Sequence, residues 1–228
     1  MREIVFDTET TGLDPKAGHK LVEVGCIELV NHLPTGKTFQ RYINPGRDMP
    51  AEAQAVHGLS GEFLAKHPGF EAVAEPLLAF IGESPLVIHN ADFDMNFLNH
   101  ELKQLGLGPV PRDRAIDTLA IARRRFPGAP ASLDALCKRF NIDTSARTKH
   151  GALLDAELLT EVYIDLIGAR EPGLQLAIAV AVPGLAQAAP GAAPLRREPP
   201  PSAPTEEELA AHEKLLAKLG KSVWADTA

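Results

Sequence analysis

Stretches of period two and of helical period follow one another along this chain in an order that predicts its elements. Ile4-Val5-Phe6 opens a strand, residues 21–30 (Leu-Val-Glu-Val-Gly-Cys-Ile-Glu-Leu-Val) read as a long second one, and residues 38–43 as a third. A turn around Pro34, Thr35 and Gly36 would join the last two. Three strands in close succession predict an antiparallel meander. Residues 51–56 and 60–64 read as short helices broken at His57-Gly58, and residues 70–81 carry helical periodicity up to Gly82. The pattern then becomes strand (86–89), helix (93–105) and strand (115–117), the rhythm of a parallel βαβ unit. Helices follow at 118–125, at 132–140 with Ser132 as N-cap, and at 152–167. The predicted fold class is α/β: a mixed five-stranded sheet, meander plus βαβ, flanked by helices.

Composition changes this picture only beyond the last of those helices. Residues 172–204 hold eight prolines and many alanines with almost no periodicity, which predicts a disordered, extended Pro/Ala-rich linker. Thr205 and Glu208 then have the spacing of a capping box ahead of Leu209, Leu215, Leu216 and Leu219, with Trp224 closing the segment. So short a tail cannot bury those side chains by itself, and a partner is expected to cover them. The expected organisation is a folded domain over 1–168, a flexible linker over 169–204 and a helical tail over 205–228.

With 45% apolar residues among 228, the chain can bury one good-sized core. No apolar run reaches the roughly 20 residues of a membrane span, and the opening residues lack the basic and apolar regions of a signal peptide. A cytoplasmic location without membrane contact is expected. Cys26 and Cys137 lie in apolar-periodic segments, as buried reduced thiols do. The net charge is −7, and over residues 1–168 acids outnumber bases 23 to 17. General electrostatic attraction therefore cannot hold this chain on nucleic acid.

The candidate chemistry is carboxylate chemistry. On a strand, Asp7 and Glu9 follow Val5 on one face and stand about 6.6 Å apart. Asp94 shares a helical face with Phe97, Leu98 and Leu105, and Asp155 shares one with Leu159, Val162 and Leu166, so both acids face inward. Four buried like charges need compensation, and hard oxygen donors take it from Mg²⁺ or Mn²⁺. His150 precedes Gly151 at the loop-to-helix junction, from where it can converge with Asp155.

These residues resemble a family. Asp7-x-Glu9 followed by Thr10-Thr11-Gly12, the run His89-Asn90-Ala91-Asp92-Phe93-Asp94, and His150-Gly151-Ala152-Leu153-Leu154-Asp155-Ala156 resemble the three motifs of the DEDDh 3′-to-5′ exonucleases, over residues 3–168. Asp92 stands where a small or apolar residue belongs, so the family's role is carried to Asp94 and Asp92 is assigned to the N-cap. The resemblance implies a ribonuclease H-like fold and two divalent ions, Mg²⁺ or Mn²⁺. Asp7, Glu9 and Asp155 would hold them, Asp94 would complete the catalytic site, and His150 would be the general base. It further implies that Glu52 and His57 contact the terminal nucleotide and that Leu13 wedges against its base.

The linker and tail resemble those of proofreading members of the family. That implies a single-stranded or frayed DNA 3′ end as substrate, a replicative polymerase subunit on 205–228, and room for a small accessory subunit. Residues 175–180 (Gln-Leu-Ala-Ile-Ala-Val) sit where a sliding-clamp peptide is expected, with the glutamine but without an aromatic residue. An RNA-directed DEDDh exonuclease, a polymerase-associated nuclease from a free-standing repair pathway and a catalytically inactive clamp–polymerase scaffold are the alternatives at this point.

Overall fold

A computed structural model describes residues 1–145, 147, 149–169 and 204–219. The chain divides into two units, Met1–Gln175 and Leu176–Ala228. In the first, strands β1 (Arg2–Thr10), β2 (Leu21–Val30), β3 (Leu33–Tyr42), β4 (Leu86–Ile88) and β5 (Ala115–Asp117) form one sheet in the order β3-β2-β1-β4-β5. The β1–β2 and β2–β3 ladders are antiparallel, whereas β1–β4 and β4–β5 are parallel. This is the mixed sheet that the sequence predicts, with β1 at its centre.

Helices α1 (Ala51–His57), α2 (Gly61–Leu64) and α3 (Phe70–Ile81) follow the meander, and α4 (Ala91–Gln104) crosses from β4 to β5. Then come α5 (Thr118–Arg125), α6 (Leu133–Phe140) and α7 (Ala152–Leu166). Alternation along β1 sorts its side chains into two layers. Ile4 and Phe6 pack with Val73 and Leu77 of α3 and with Phe97 and Leu98 of α4. Val5 packs on the opposite face with Ala156, Leu159 and Tyr163 of α7. Phe6, Phe97 and Leu77 are fully buried, and each such side chain contributes roughly 1.5–3 kcal/mol. β1 is thus held on both faces, and its carboxyl end, with Asp7 and Glu9, is a fixed platform.

Two local expectations are corrected. The β2–β3 turn is made by Asn31 and His32, both at positive φ (52° and 65°), between the paired residues Val30 and Leu33. That is the backbone of a two-residue hairpin, which asparagine tolerates. Pro34-Thr35-Gly36 lies within β3 instead, where the ladder slips between Ile27 and Leu29 and Gly36 takes φ 85°. A turn composition had therefore marked a bulge. Asp92 is likewise not an N-cap: Asn90, at φ 68°, occupies that position, and Asp92 pairs with Arg112 at 2.6 Å from the first turn of α4.

Gly25 decides how α7 meets the sheet. It pairs with Asp7 across β1–β2, and a Cβ there would lie 2.3 Å from the carbonyl carbon of Ala152. Only glycine lets the first turn of α7 rest on β2 at this point.

In the second unit, the described residues include α8 (Glu206–Leu219). Its capping box is formed: the Thr205 N–H donates to Glu208 Oε2 (2.8 Å) and the Glu208 N–H to Thr205 Oγ1 (3.3 Å). Leu209 and Leu215 are exposed. Residues 175–180 and Trp224 lie outside the described residues.

Candidate active site

Three elements deliver four acids to one place. β1 carries Asp7 and Glu9 on its α7 side, α7 carries Asp155 in its first turn, and α4 carries Asp94 in its first turn. Glu9, Asp94 and Asp155 are buried at 9%, 3% and 4% exposure, and Asp7 is half-buried. Asp94 Oδ1 accepts from the Thr8 hydroxyl at 2.6 Å, which ties α4 to the strand between the two acids. Two helix amino termini thereby face the cluster, and their unsatisfied N–H groups favour negative charge there.

That help is insufficient, as the ionisation of the acids shows. Burial, then the charges of Asp94, Asp155 and Glu9, hold the Asp7 carboxyl well above its ordinary range. Burial, reinforced by Asp155 and Glu23, pushes Glu9 up to about 8. Burial raises Asp94 to about 7 against the pull of the Thr8 hydroxyl. Near neutral pH these groups keep protons unless a cation replaces them.

His150 stands at the amino end of α7 as its spacing predicts, with Nδ1 3.0 Å from Asp155 Oδ2. Glu9, His150 and Asp155 each offer a ligand atom within 4.8 Å of the others, a grouping that includes two of the three acids expected to hold metal. Asp7, the third, stands two residues before Glu9 on the same strand. The loop is fastened to α1 by the His150 N–H to the Val56 carbonyl (3.3 Å) and by Lys149 Nζ to the Ala55 carbonyl (2.9 Å).

The residues expected to meet a nucleotide are placed differently from one another. Leu13, 85% exposed, and Glu52 line a largely apolar cavity of about 420 Å³ with Thr11, Gly12, Pro50 and Val56. His57 ends α1 as a buried side chain whose Nδ1 accepts from the Leu59 N–H at 3.0 Å. Burial is the main cause that lowers its pKa.

Two residues escaped the sequence reading. Glu23 pairs with Glu9 across β1–β2 and is buried; its Oε2 accepts from the Ala152 N–H (3.1 Å) and its Oε1 from Gln40 (2.7 Å). It is a fifth acid at the cluster and, in the absence of a side-chain cap from Gly151, satisfies the start of α7. Its signal was a glutamate among apolar residues of a central strand. Arg147 reaches Asp155 through Nε to Oδ1 (2.6 Å) and Nη2 to Oδ2 (2.8 Å). A loop arginine carries no periodicity, so nothing in the sequence pointed to it.

A family model described as Exonuclease (RNase_T) matches residues 4–163. The chain is 47% identical to the DNA polymerase III subunit epsilon of Rickettsia conorii, over 98% of this chain and 99% of that one. It is 41% identical to the same subunit of Escherichia coli K12, over 98% and 97%. Among solved structures, the nuclease domain of 3′hExo, a DEDDh family member bound to rAMP, superposes with a TM-score of 0.63 at 18% identity, covering 74% of this chain and 92% of that one. Exonuclease X in complex with 5′ overhanging duplex DNA gives 0.56 at 24% identity over 73% and 92%. These likenesses carry the fold, and the identity to the curated subunits carries the family. The sheet centred on an acid-bearing β1, the four converging carboxylates and the match over nearly the whole length agree: this chain is a 3′-to-5′ exonuclease of the RNase_T family and belongs among the epsilon subunits of DNA polymerase III.

Proposed function

We propose that the protein is the proofreading exonuclease of a replicative DNA polymerase and removes mispaired 3′-terminal nucleotides from DNA as 5′-monophosphates. The observation that carries this reading is the convergence of Asp7, Glu9, Asp94 and Asp155 from three elements, with Asp7, Glu9 and Asp94 holding their protons above the ordinary range in a way that a cation would reverse. The donor set fits divalent ions: Asp7, Glu9, Asp94 and Asp155 offer hard carboxylate oxygens, the ligands that Mg²⁺ and Mn²⁺ prefer. Asp7, Glu9 and Asp155 would hold the ions, with Asp94 completing the site. When bound, the ions supply a water of lowered pKa and stabilise the charge that develops on the leaving 3′ oxygen.

The chain's own residues do the rest. His150 takes the proton of the attacking water. Its Nδ1 lies 3.0 Å from Asp155 Oδ2, and the tautomer that donates Nδ1–H to that oxygen leaves Nε2 to accept the proton. Glu52 and His57 position the terminal nucleotide, and Leu13, standing out into solvent at the mouth of the apolar cavity, wedges against the terminal base.

The acidic surface makes weak intrinsic affinity for DNA the expected state, and tethering supplies the local concentration. In this reading 1–168 is the nuclease domain and 205–228 binds the polymerase alpha subunit through the exposed leucines of α8. Residues 169–204 form the linker between them, and 175–180 engages the sliding clamp. A small accessory subunit covers part of the nuclease domain, and the assembly works in the cytoplasm. Among the described residues no helix is long and apolar enough to cross a membrane.

The chemistry is tested by mononucleotide release from a 3′-mismatched primer with Mg²⁺. Wild type is expected to be active, and His150→Ala and Asp155→Asn strongly impaired; full turnover in either variant removes the assignment. Matched RNA and DNA oligomers distinguish the RNA-directed alternative. Deletion of residues 170–228 is expected to spare nuclease activity and abolish co-elution with the polymerase subunit, and retained co-elution refutes the division of labour.

A further inference from the structure

One cation already occupies the acid cluster. The Arg147 guanidinium is 8% exposed and lies between Asp155 and Asp134, the latter on the exposed face of α6 at 69% exposure. It engages both oxygens of Asp155, the ones expected to bind metal. Its grip is imperfect: the 2.6 Å approach of Nε to Oδ1 is an ion pair without hydrogen-bond alignment. It also reaches Nδ1 of His150, at 2.7 Å from Nη2.

The last contact conflicts with the neighbouring one. A guanidinium only donates, so Nδ1 facing Arg147 must be the unprotonated nitrogen, and the neutral ring then carries its proton on Nε2. Nδ1 facing Asp155 Oδ2 at 3.0 Å must instead carry the proton and leave Nε2 bare. One nitrogen cannot do both. The first tautomer cannot accept a proton from water, and the second can.

We infer that Arg147 is a positioning residue that competes with divalent metal for Asp155: metal entry drives it back onto Asp134, and its departure turns His150 into the tautomer that serves as base. The inference rests on the metal-binding reading of the site given above. It makes Asp155 paired before metal arrives, and it couples readiness of the base to metal occupancy. Asp134, exposed and already in contact with the guanidinium, is the landing place. Two variants should then shift metal affinity in opposite directions. Arg147→Gln removes the competitor. Asp134→Asn removes the landing place and leaves the guanidinium to Asp155 alone.

The test uses the full chain. Mn²⁺ binding is measured by calorimetry for wild type, Arg147→Gln and Asp134→Asn; on wild type, the Arg147 Nε and His150 imidazole nitrogen resonances are followed by NMR as Mg²⁺ is added. Expected are binding about tenfold tighter in Arg147→Gln, within the usual range for coupled ligands, and binding several-fold weaker in Asp134→Asn. Mg²⁺ should also move the Arg147 Nε resonance and exchange the protonated nitrogen of His150 from Nε2 to Nδ1. A merely structural arginine would leave both resonances in place and shift both variants the same way or not at all, which overturns the inference while the metal site stands. If wild type binds no Mn²⁺, the metal reading falls and this inference with it. Should either variant fail to fold, the wild-type resonances alone decide.

Discussion

The two ends of β1 bury acids in opposite ways. At the amino end Glu3 is fully buried, yet its Oε1 accepts from the Tyr163 hydroxyl at 2.7 Å and its Oε2 lies 2.7 Å from His32 Nδ1. Nearby, Glu28 meets Arg2, Thr35 and Lys37, and the Arg2 guanidinium, first among these, pulls its carboxyl down to about 2. At the carboxyl end, Asp7 and Glu9 meet mostly other acids, and Glu9 is pushed up to about 8. The same residue type on the same sheet thus serves two ends. An acid given partners holds strands together; an acid denied them stores a demand for cations, and that demand is the binding energy of the site.

The comparison is broken most severely at Asp7. Asp7→Ala should reduce nucleotide release by about a thousandfold or more, since the several kcal/mol that a metal supplies at the reacting phosphate would be lost. In chelator the same variant should melt no lower than wild type, because it removes a carboxyl that burial and its acidic neighbours disfavour and that the fold does not use. A variant that melts much lower would show that Asp7 is structural.

Gly25→Ala is expected to come next. The added methyl meets the Ala152 backbone at 2.3 Å, so the first turn of α7 must shift and carry Asp155 with it. Misplacement on that scale should lower activity about a hundredfold, while circular dichroism still reports a folded protein. Unchanged activity would mean that α7 need not sit where it does.

At the other end Tyr163→Phe should do the reverse. Leaving a buried Glu3 oxygen unpaired should cost about 1–3 kcal/mol in chemical denaturation. Activity of the variant, assayed well below its melting temperature, should be that of wild type. A comparable loss of activity would erase the distinction between the two ends.

The smallest effect sharpens the contrast through pH. An acid with a raised folded pKa stabilises the fold below its unfolded value and loses that contribution as pH rises through the folded one. Glu9 and Asp94 therefore predict a chelated protein whose melting temperature declines from about pH 4.5 to about 8. Added Mg²⁺ should offset the decline at its alkaline end, where the carboxylates are free to bind it. Glu28, held low by Arg2, works with the other sign: its stabilisation is present above pH 4.5 and is lost as pH falls towards 2. Melting curves with and without chelator separate the two limbs, and a melting temperature flat from pH 5 to 8 in chelator would contradict the strained cluster.

How far all this was legible depends on whether a residue acts through its own element. Asp94 and Asp155 were readable because each sits on a helix long enough for its period to show an acid on the apolar side. The pair on β1 was readable because alternation needs only three residues. The hairpin turn was misread because Gly and Pro mark bulges as well as turns, and only the pairing of Val30 with Leu33 distinguishes them. Gly25 was legible only as part of a strand, because the reason for a glycine there is the Ala152 backbone of α7, which lies against it. Glu23 and Arg147 were not placed in the site from the sequence, since each enters it through a residue of another element: Glu9 across a ladder in one case, Asp155 and Asp134 of the flanking helices in the other.

By itself the sequence determined the element order, the two faces of β1, the inward acids and the family, because periodicity and short motifs are properties of neighbouring residues. Tertiary structure alone decided which acids are satisfied and which are strained. Ionisation in a buried site depends on the charges and dipoles within a few ångströms, and those come from segments that the chain separates by up to 150 positions.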